Sequence, residues 1–348
     1  MTVRLVSGLF TLFLLRALGN AETSICVQLK PKMESAIAAL NRFNTAEAER
    51  SLATIEGARN ECPAILLVMA RVQAARKNVE QGSGLFERYM KAQPKDPEGP
   101  FRFGEMLVQI GQFPQADAMA DRALELDPDH SGALALKGRL LTMRRQTAEG
   151  QRLLERAILI DPQNAEAHFQ LGSLFDRTKE NEKAVAHFEA VVALRPTDQR
   201  AYDYLGLNLE QLGQTDRAEN AFKRGLAVNA GPLADSFLDF NYGRFLLKQN
   251  RLVESKSHLD RAVEIAPRVR AVLYERGKVN LRMGKYEAAA QDAQRALDTP
   301  DAGGVILDLQ VYYLLAEAYS RLGDANQAAS YIHLAEAAKI PPKPMDRK

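Results

Sequence analysis

The sequence predicts an all-α protein, a right-handed α-solenoid of stacked antiparallel helix pairs, from three observations. Four similar strings end in proline: ALELDP at Pro128, AILIDP at Pro162, VVALRP at Pro196 and AVEIAP at Pro267. The first three prolines are 34 residues apart. Small residues also recur at two fixed places of this period. A period of about this length is typical of two-helix units that must stack to bury a shared apolar face.

The period divides most of the chain into eight full units. They start near residues 63, 97, 131, 165, 199, 236, 270 and 309. The last three follow short insertions, and we expect irregular segments near residues 230–236 and 300–308.

Each unit is predicted to be a helix, a turn and a second helix. The eighth residue is small, reading Ala70, Gly104, Gly138, Gly172, Gly206, Gly243, Gly277 and Ala316, and the twentieth is usually Ala. Small residues on both helices allow their backbones to approach closely. Gly111, Gly213, Gly284 and Gly323 near the fifteenth place suit the left-handed turn that ends a helix. The second helix ends at the recurring proline, which lacks an N–H donor.

This pattern resembles the tetratricopeptide repeat, whose motif has small residues at places eight, twenty and twenty-seven and a proline at place thirty-two. The resemblance covers about residues 29–342 and holds one frame over eight copies. The bulky residue expected at place four is replaced by Pro100, His168 and Asp239 in three units, and the chain has no Trp. We expect those three units to pack more loosely.

The repeat period and the terminal sequences divide the chain into four regions. Residues 1–21 form a predicted signal peptide, with Arg4, an apolar run from Leu5 to Leu15, and Gly19 and Ala21 before the cleavage point. Residues 22–62 are expected to form a capping helix pair, residues 63–342 the repeat array, and residues 343–348 a disordered tail. We expect the array to make up the whole mature protein.

The apolar run favours export over a permanent membrane anchor. Its 11 residues are too few to cross a bilayer of about 30 Å as a helix. The protein is therefore expected in the periplasm or secreted, without stable membrane insertion after cleavage. Tethering by an uncleaved N-terminal segment is the alternative.

Export affects how Cys26 and Cys62, the only two cysteines, are interpreted. Oxidising compartments favour disulfides, and stacking of the cap pair on the first unit brings the two helix starts together. A Cys26–Cys62 disulfide is the expectation. Two buried or inert thiols are the alternative. Adjacent helix axes lie about 8 to 10 Å apart, whereas a disulfide needs its two Cα atoms within about 7 Å.

Charge and motif content argue against several function classes. The chain has 46 basic and 44 acidic residues, and removal of Arg4 and Arg16 with the signal peptide leaves 44 of each, which disfavours nucleic-acid binding. The five histidines are scattered, without a pair at helical metal-ligand spacing. No polar constellation suited to catalysis is evident. We expect no enzyme activity, no metal and no cofactor.

The first helices of a solenoid line its concave face, and the resemblance implies that places 2, 5, 9, 12 and 13 face this groove. The candidate partner-binding residues are Phe101, Phe169, Phe240, Arg244, Lys248, Tyr274, Lys278, Arg282, Tyr313 and Arg321. For the rings, exposure to a peptide competes with packing between neighbouring first helices. For the cations, an acidic or C-terminal partner segment competes with an ordinary solvated helix face.

The sequence therefore favours a non-catalytic interaction scaffold that acts outside the cytoplasm and binds a protein or peptide in its groove. Assembly of envelope or secreted proteins is the expected role, inferred from export and family. An accessory subunit of an exported enzyme or cofactor-handling complex is the alternative.

Overall fold

A computed structural model describes residues 24–41, 44–229, 236–300 and 306–339, and every long regular element in these ranges is an α-helix. The helices are α1 (Ser24–Asn41), α2 (Thr45–Ala53), α3 (Ala64–Ala75), α4 (Val79–Ala92), α5 (Glu98–Gln109), α6 (Phe113–Leu126), α7 (Ser131–Met143), α8 (Thr147–Ile160), α9 (Ala165–Thr178), α10 (Asn181–Leu194), α11 (Gln199–Gln211), α12 (Thr215–Val228), α13 (Ser236–Lys248), α14 (Leu252–Ile265), α15 (Arg270–Arg282), α16 (Tyr286–Leu297), α17 (Asp308–Leu322) and α18 (Ala325–Ala338). The predicted signal peptide at 1–21, the predicted tail at 343–348 and most of both insertions lie outside the described residues.

The helices form antiparallel pairs, in which odd numbers are first helices and even numbers are second helices. Within a compact unit, second helices also pack on the first helix of the next pair, as α6 does on α7 and α16 on α17. The all-α stack of paired helices that the period predicts is therefore confirmed. The chain divides into two compact units, residues 1–174 and 175–348.

Within a pair, the two backbones meet at the small residues of places eight and twenty. A Cβ on Gly138 of α7 would lie 2.9 Å from the carbonyl oxygen of Gly150 in α8, and a Cβ on Gly150 would lie 2.8 Å from the carbonyl oxygen of Gly138. At α13 and α14, the place-twenty residue Ser255 donates its hydroxyl to the carbonyl oxygen of Gly243 at 2.6 Å. Larger side chains at these places would separate the helix axes.

The turn inside each full pair has a left-handed residue at place fifteen. The four predicted glycines adopt φ values from 69° to 82°. Lys77, Arg145, Lys179 and Asn250 adopt φ values from 61° to 64° at the same place. The turn geometry is therefore common to all eight units, including the four that lack glycine.

Several first helices begin with a side-chain cap. His130, Asn164 and Asp198 each accept a hydrogen bond from the backbone N–H three residues later, at 3.0, 2.9 and 3.2 Å. Each cap satisfies one of the N–H groups that the first helical turn leaves without an intrahelical partner.

Each compact unit buries its own apolar core. In the first unit, Ala36, Ile65, Phe86 and Leu154 are fully buried. In the second unit, the inward side chains include Phe188, Tyr202, Phe222, Phe245 and Leu315.

The place-four departure at Asp239 is buried and ion-paired. Its carboxylate is inaccessible to solvent, accepts a hydrogen bond from Nδ1 of His258 at 2.8 Å and lies 3.5 Å from Nη2 of Arg261. Polar partners from the second helix of the same pair take the place of apolar packing.

Cys26 and Cys62 form a disulfide with a Cα–Cα distance of 5.2 Å, and both residues are buried. Cys26 lies within α1, in its first described turn. Cys62 lies two residues before α3. The bond joins the first two pairs at their apolar contact.

Within the described ranges, no helix combines the length and apolar character needed to cross a membrane.

The close approach at Gly138 makes a testable prediction. We expect Gly138→Ala to lower the free energy of unfolding by about 1 to 3 kcal/mol, because the added Cβ would lie 2.8 Å from Cγ of Leu154 and 2.9 Å from a backbone oxygen. Gly84→Ala is the control, because its Cβ in α4 meets no neighbouring atom within 4 Å. The control should gain about 0.5 to 1 kcal/mol from helix propensity. Urea unfolding measures both, and effects of the same sign would contradict the packing argument.

Candidate functional site

The second unit contains a pocket of about 310 Å³ between the first helices α13 and α15. We call it the basic pocket, and its lining residues are Arg244, Leu247, Lys248, Glu275, Lys278 and Arg282. The four cations lie at two equivalent places of neighbouring repeat units. Arg244 and Lys248 lie one turn apart on α13, and Lys278 and Arg282 occupy the equivalent places on α15. The structure thus brings together four of the cations that the sequence predicted for the groove.

Two of these cations are neutralised by carboxylates. Lys248 Nζ lies 2.6 Å from Oε1 of Glu210 in α11. Lys278 Nζ lies 2.9 Å from Oε2 of Glu275, whose side chain is buried, and 5.4 Å from the ring centroid of Tyr274. Glu275 lies at place six of its unit, one place beyond the groove position at place five, so the sequence analysis did not identify it.

Arg282 has a structural role that its place in the register did not predict. Its guanidinium donates from Nη1 to the carbonyl oxygen of Leu247 at 3.0 Å and from Nη2 to Oδ1 of Asn250 at 2.9 Å. Leu247 is in the last turn of α13, where backbone carbonyls lack intrahelical partners, and Asn250 is the left-handed residue of the following turn. Arg282 therefore ties α15 to the end of α13.

Arg244 is the cation of the basic pocket without a polar partner in the described part of the chain. It is partly buried, and its guanidinium carbon lies 5.8 Å from the ring centroid of Phe240, one turn earlier on α13. Its N–H donors are consequently available to a ligand.

The predicted aromatic ladder is mostly buried. Phe101, Phe169 and Phe240 are only 6%, 8% and 9% exposed. A Cβ at Gly132 in α7 would lie 2.5 Å from Cζ of Phe101, so this ring fills the space left by a glycine on the next first helix. The alternative of a ring packed between neighbouring first helices describes Phe101, and none of the three rings is exposed as a groove contact requires.

The remaining candidates in the second unit are more accessible. Tyr274 is partly buried, and burial followed by the nearby Glu275 carboxylate raises the pKa of its hydroxyl. Tyr313 is 41% exposed. Arg321 is exposed, and its Nη2 lies 3.9 Å from Oε1 of Glu317, one turn earlier on α17. Neither Tyr313 nor Arg321 lines the basic pocket.

The first unit has a charge cluster that sequence reasoning did not identify. Arg102 Nε donates to Oε2 of Glu98 at 2.9 Å, and its Nη1 donates to Oε2 of Glu105 at 2.8 Å. Burial opposes the charge on Arg102, but these two carboxylates outweigh it and raise the pKa of the guanidinium.

Arg71 is beside this cluster but has neither a hydrogen bond nor an ion pair within the described residues. Burial, followed by repulsion from Arg102, lowers the pKa of the Arg71 guanidinium to about 10, so it stays charged at neutral pH. Arg71 lies at place nine of the first full unit, a groove place that Arg244 also occupies in its own unit.

A second pocket of about 240 Å³ is lined by residues of α11 and α12 and by Glu189 of α10. Arg217 joins α12 to α10 through Glu189 at 2.6 Å, and Arg224 lies 5.1 Å above the ring of Tyr202. Substitution of Arg217 or Arg224 would remove these contacts, so neither residue is a neutral control for the basic pocket.

Among the residues that the structure describes, no group of three or more His, Cys, Asp or Glu side chains could hold a metal ion.

Comparison with known proteins identifies the repeat. Family models described as tetratricopeptide repeat match residues 107–174, 141–208, 205–269, 243–305 and 309–338. No curated protein matches the chain.

Two solved structures are similar at the level of the fold. The hetero-tetramer Cut9–Hcn1 of the APC/C has a TM-score of 0.61 at 17% identity, covering 84% of this chain and 56% of the other. PilW, a type IV pilus biogenesis factor, has a TM-score of 0.51 at 19% identity, covering 60% of this chain and 92% of the other.

Arg71 and Arg102 differ in their partners, which predicts different outcomes for two substitutions. Arg71→Met should change the free energy of unfolding by less than about 1 kcal/mol, because Arg71 has no hydrogen bond or ion pair among the described residues and burial and Arg102 oppose the attraction of Glu105 and Glu98. Arg102→Met should lower it by about 1 to 3 kcal/mol, because Glu98 and Glu105 lose their hydrogen-bonded cation. Denaturant unfolding at neutral pH and fixed salt measures both variants. Equal destabilisation would show that Arg71 is paired in solution.

Proposed function

Because the chain belongs to the tetratricopeptide repeat family, we propose that it is a non-catalytic scaffold that binds a partner polypeptide across its first helices. The basic pocket is the main contact in this proposal. Its four cations come from two neighbouring first helices, so a segment crossing them would meet both rows of charge.

The observation that carries the proposal is Arg244. Its guanidinium has no polar partner among the described residues, whereas the other three cations of the basic pocket are engaged. A partly desolvated arginine gains most when it pairs with an acid in a planar, two-bonded arrangement. A protein segment that presents an acidic side chain is therefore the proposed partner, and the neutral overall charge disfavours nucleic acid.

We further propose that the protein acts outside the cytoplasm, in the periplasm or as a secreted protein. Residues 1–21 support this through their signal-peptide pattern. The cysteine geometry supports it too, because disulfides persist mainly in oxidising compartments. A role in assembly of envelope or secreted proteins rests on export and family alone, since likeness to PilW at 19% identity shows only the fold.

The binding proposal is tested by removing charge from the basic pocket. We expect Arg244→Gln combined with Lys278→Gln to weaken capture of native partners by more than about 1 kcal/mol, in the range of interface hot spots. Glutamine at residue 278 keeps an N–H donor for the buried Glu275. Quantitative mass spectrometry of pull-downs from native extract measures the loss.

The matched control combines Lys223→Gln and Lys256→Gln on second helices. Each removes a lysine from a same-helix ion pair, with Glu219 and Asp260. Both carboxylates keep an arginine partner, Arg251 and Arg276 respectively. Equal loss of partners in the two double variants, at unchanged unfolding midpoints, would refute binding at the basic pocket.

The export proposal predicts blocked thiols. Mature protein purified from an oxidising compartment should resist alkylation at Cys26 and Cys62 until a reductant is added. Intact-mass measurement before and after reduction tests this. Two freely alkylated cysteines in exported material would contradict the disulfide, and cytoplasmic retention of the full-length chain would contradict export.

A further inference from the structure

The cations of the basic pocket differ in how much charge they can offer a ligand. Lys248 and Lys278 each pair with a carboxylate, at 2.6 and 2.9 Å. Arg282 donates to two neutral oxygens, so it keeps its charge but uses its Nη1 and Nη2 groups within the protein. Arg244 keeps both its charge and its donors. The uncompensated positive charge therefore resides on two arginines, and Arg244 is the one whose five N–H donors are all unused by other described residues.

The acids around the basic pocket limit how many negative charges it accepts. Glu275 lines the pocket, and its buried side chain has Lys278 as its ion-pair partner in the described residues. Glu210 is 10% exposed, and its Oε2 is buried without a hydrogen-bond partner among the described residues. A run of acidic residues would bring further carboxylates close to these two. Like charges held close together in a partly desolvated site repel each other.

The geometry points to Arg244 as the residue that selects the partner, by binding a single carboxylate with both terminal nitrogens. This inference rests on the proposed binding function and specifies its ligand: one Asp or Glu side chain in an otherwise neutral, extended segment, and not a polyacidic tract. Leu247 offers an apolar wall for the residues that flank the carboxylate. The charge of Arg282 supports the bound carboxylate from the neighbouring helix.

The test uses peptides of about eight residues whose randomised positions hold uncharged residues only, and such peptides span about 26 Å when extended. Their ends are acetylated and amidated, so that side chains alone supply negative charge. One set carries a central Glu, one a central Gln, and one four Glu residues. Fluorescently labelled full-length protein is titrated over each set at physiological ionic strength.

We expect the single-Glu set to bind at least about tenfold more tightly than the Gln set, as a charge-assisted bidentate contact requires. Four Glu residues should improve binding by no more than about fivefold, since exposed pairs contribute little. Arg244→Gln should erase the preference for Glu. Arg244→Lys should reduce it, because an ammonium keeps the charge but lacks the planar fork. Lys223→Gln, which lies outside the basic pocket, should retain it.

Several outcomes would overturn the inference. These are equal binding of the Glu and Gln sets by wild-type protein, a preference that survives Arg244→Gln, and equal loss in Arg244→Gln and Lys223→Gln. Much tighter binding of the four-Glu set would overturn the single-carboxylate specificity. Thermal unfolding by circular dichroism confirms that each variant is folded.

Failure of Arg244 as the selecting residue is distinguishable from failure of the proposed function. If the double variant Arg244→Gln with Lys278→Gln loses native partners while the peptide sets show no Glu preference, the pocket binds protein but Arg244 does not select it. If that double variant keeps all partners, the binding function itself fails.

Discussion

The close approach of two backbones within each pair is the constraint on which the rest of the structure depends. At Gly138 and Gly150 the approach leaves no space for a Cβ on either helix. Similar contacts recur where Gly243 meets the carbonyl oxygen of Ser255, at 3.2 Å from an added Cβ, and where Gly277 meets that of Ala289, at 3.4 Å. Because the pairs share this geometry, the first helices present side chains at constant places. The two rows of cations in the basic pocket result from that regularity.

Charge on these first helices is used in two ways. Some of it holds the protein together. Arg282 caps the end of α13, and Arg102 is bonded to two carboxylates in the first unit. Arg244 and Arg71 lack such partners among the described residues, although both occupy place nine of their units. The register alone therefore does not separate structural cations from those available to a ligand, because the acid that neutralises a cation can lie on a different helix.

The aromatic residues show the same limit of sequence reasoning. Place five is rich in rings, and both exposure and packing were compatible with its position on the first helix. Burial of Phe101 depends on the absence of a side chain at Gly132, which lies on the next first helix. A glycine at place two that follows an aromatic residue at place five of the preceding unit was the available signal. Place two of the unit after Phe240 is Ala271 and not glycine. Phe240 belongs to the apolar core of the second unit, together with Val272 and Leu273.

The sequence by itself determined the helix pairs, their small contact residues, the left-handed turns and the two cysteines that could pair. These properties depend on local backbone preferences and on a period that eight copies repeat, so each copy reinforces the others. Tertiary structure decided which groove residues are buried, which cations are neutralised and that Lys77, Arg145, Lys179 and Asn250 adopt the turn of the glycines. Contacts between side chains of different repeats set these outcomes. Such contacts depend on distances of a few ångströms that a repeat register does not specify.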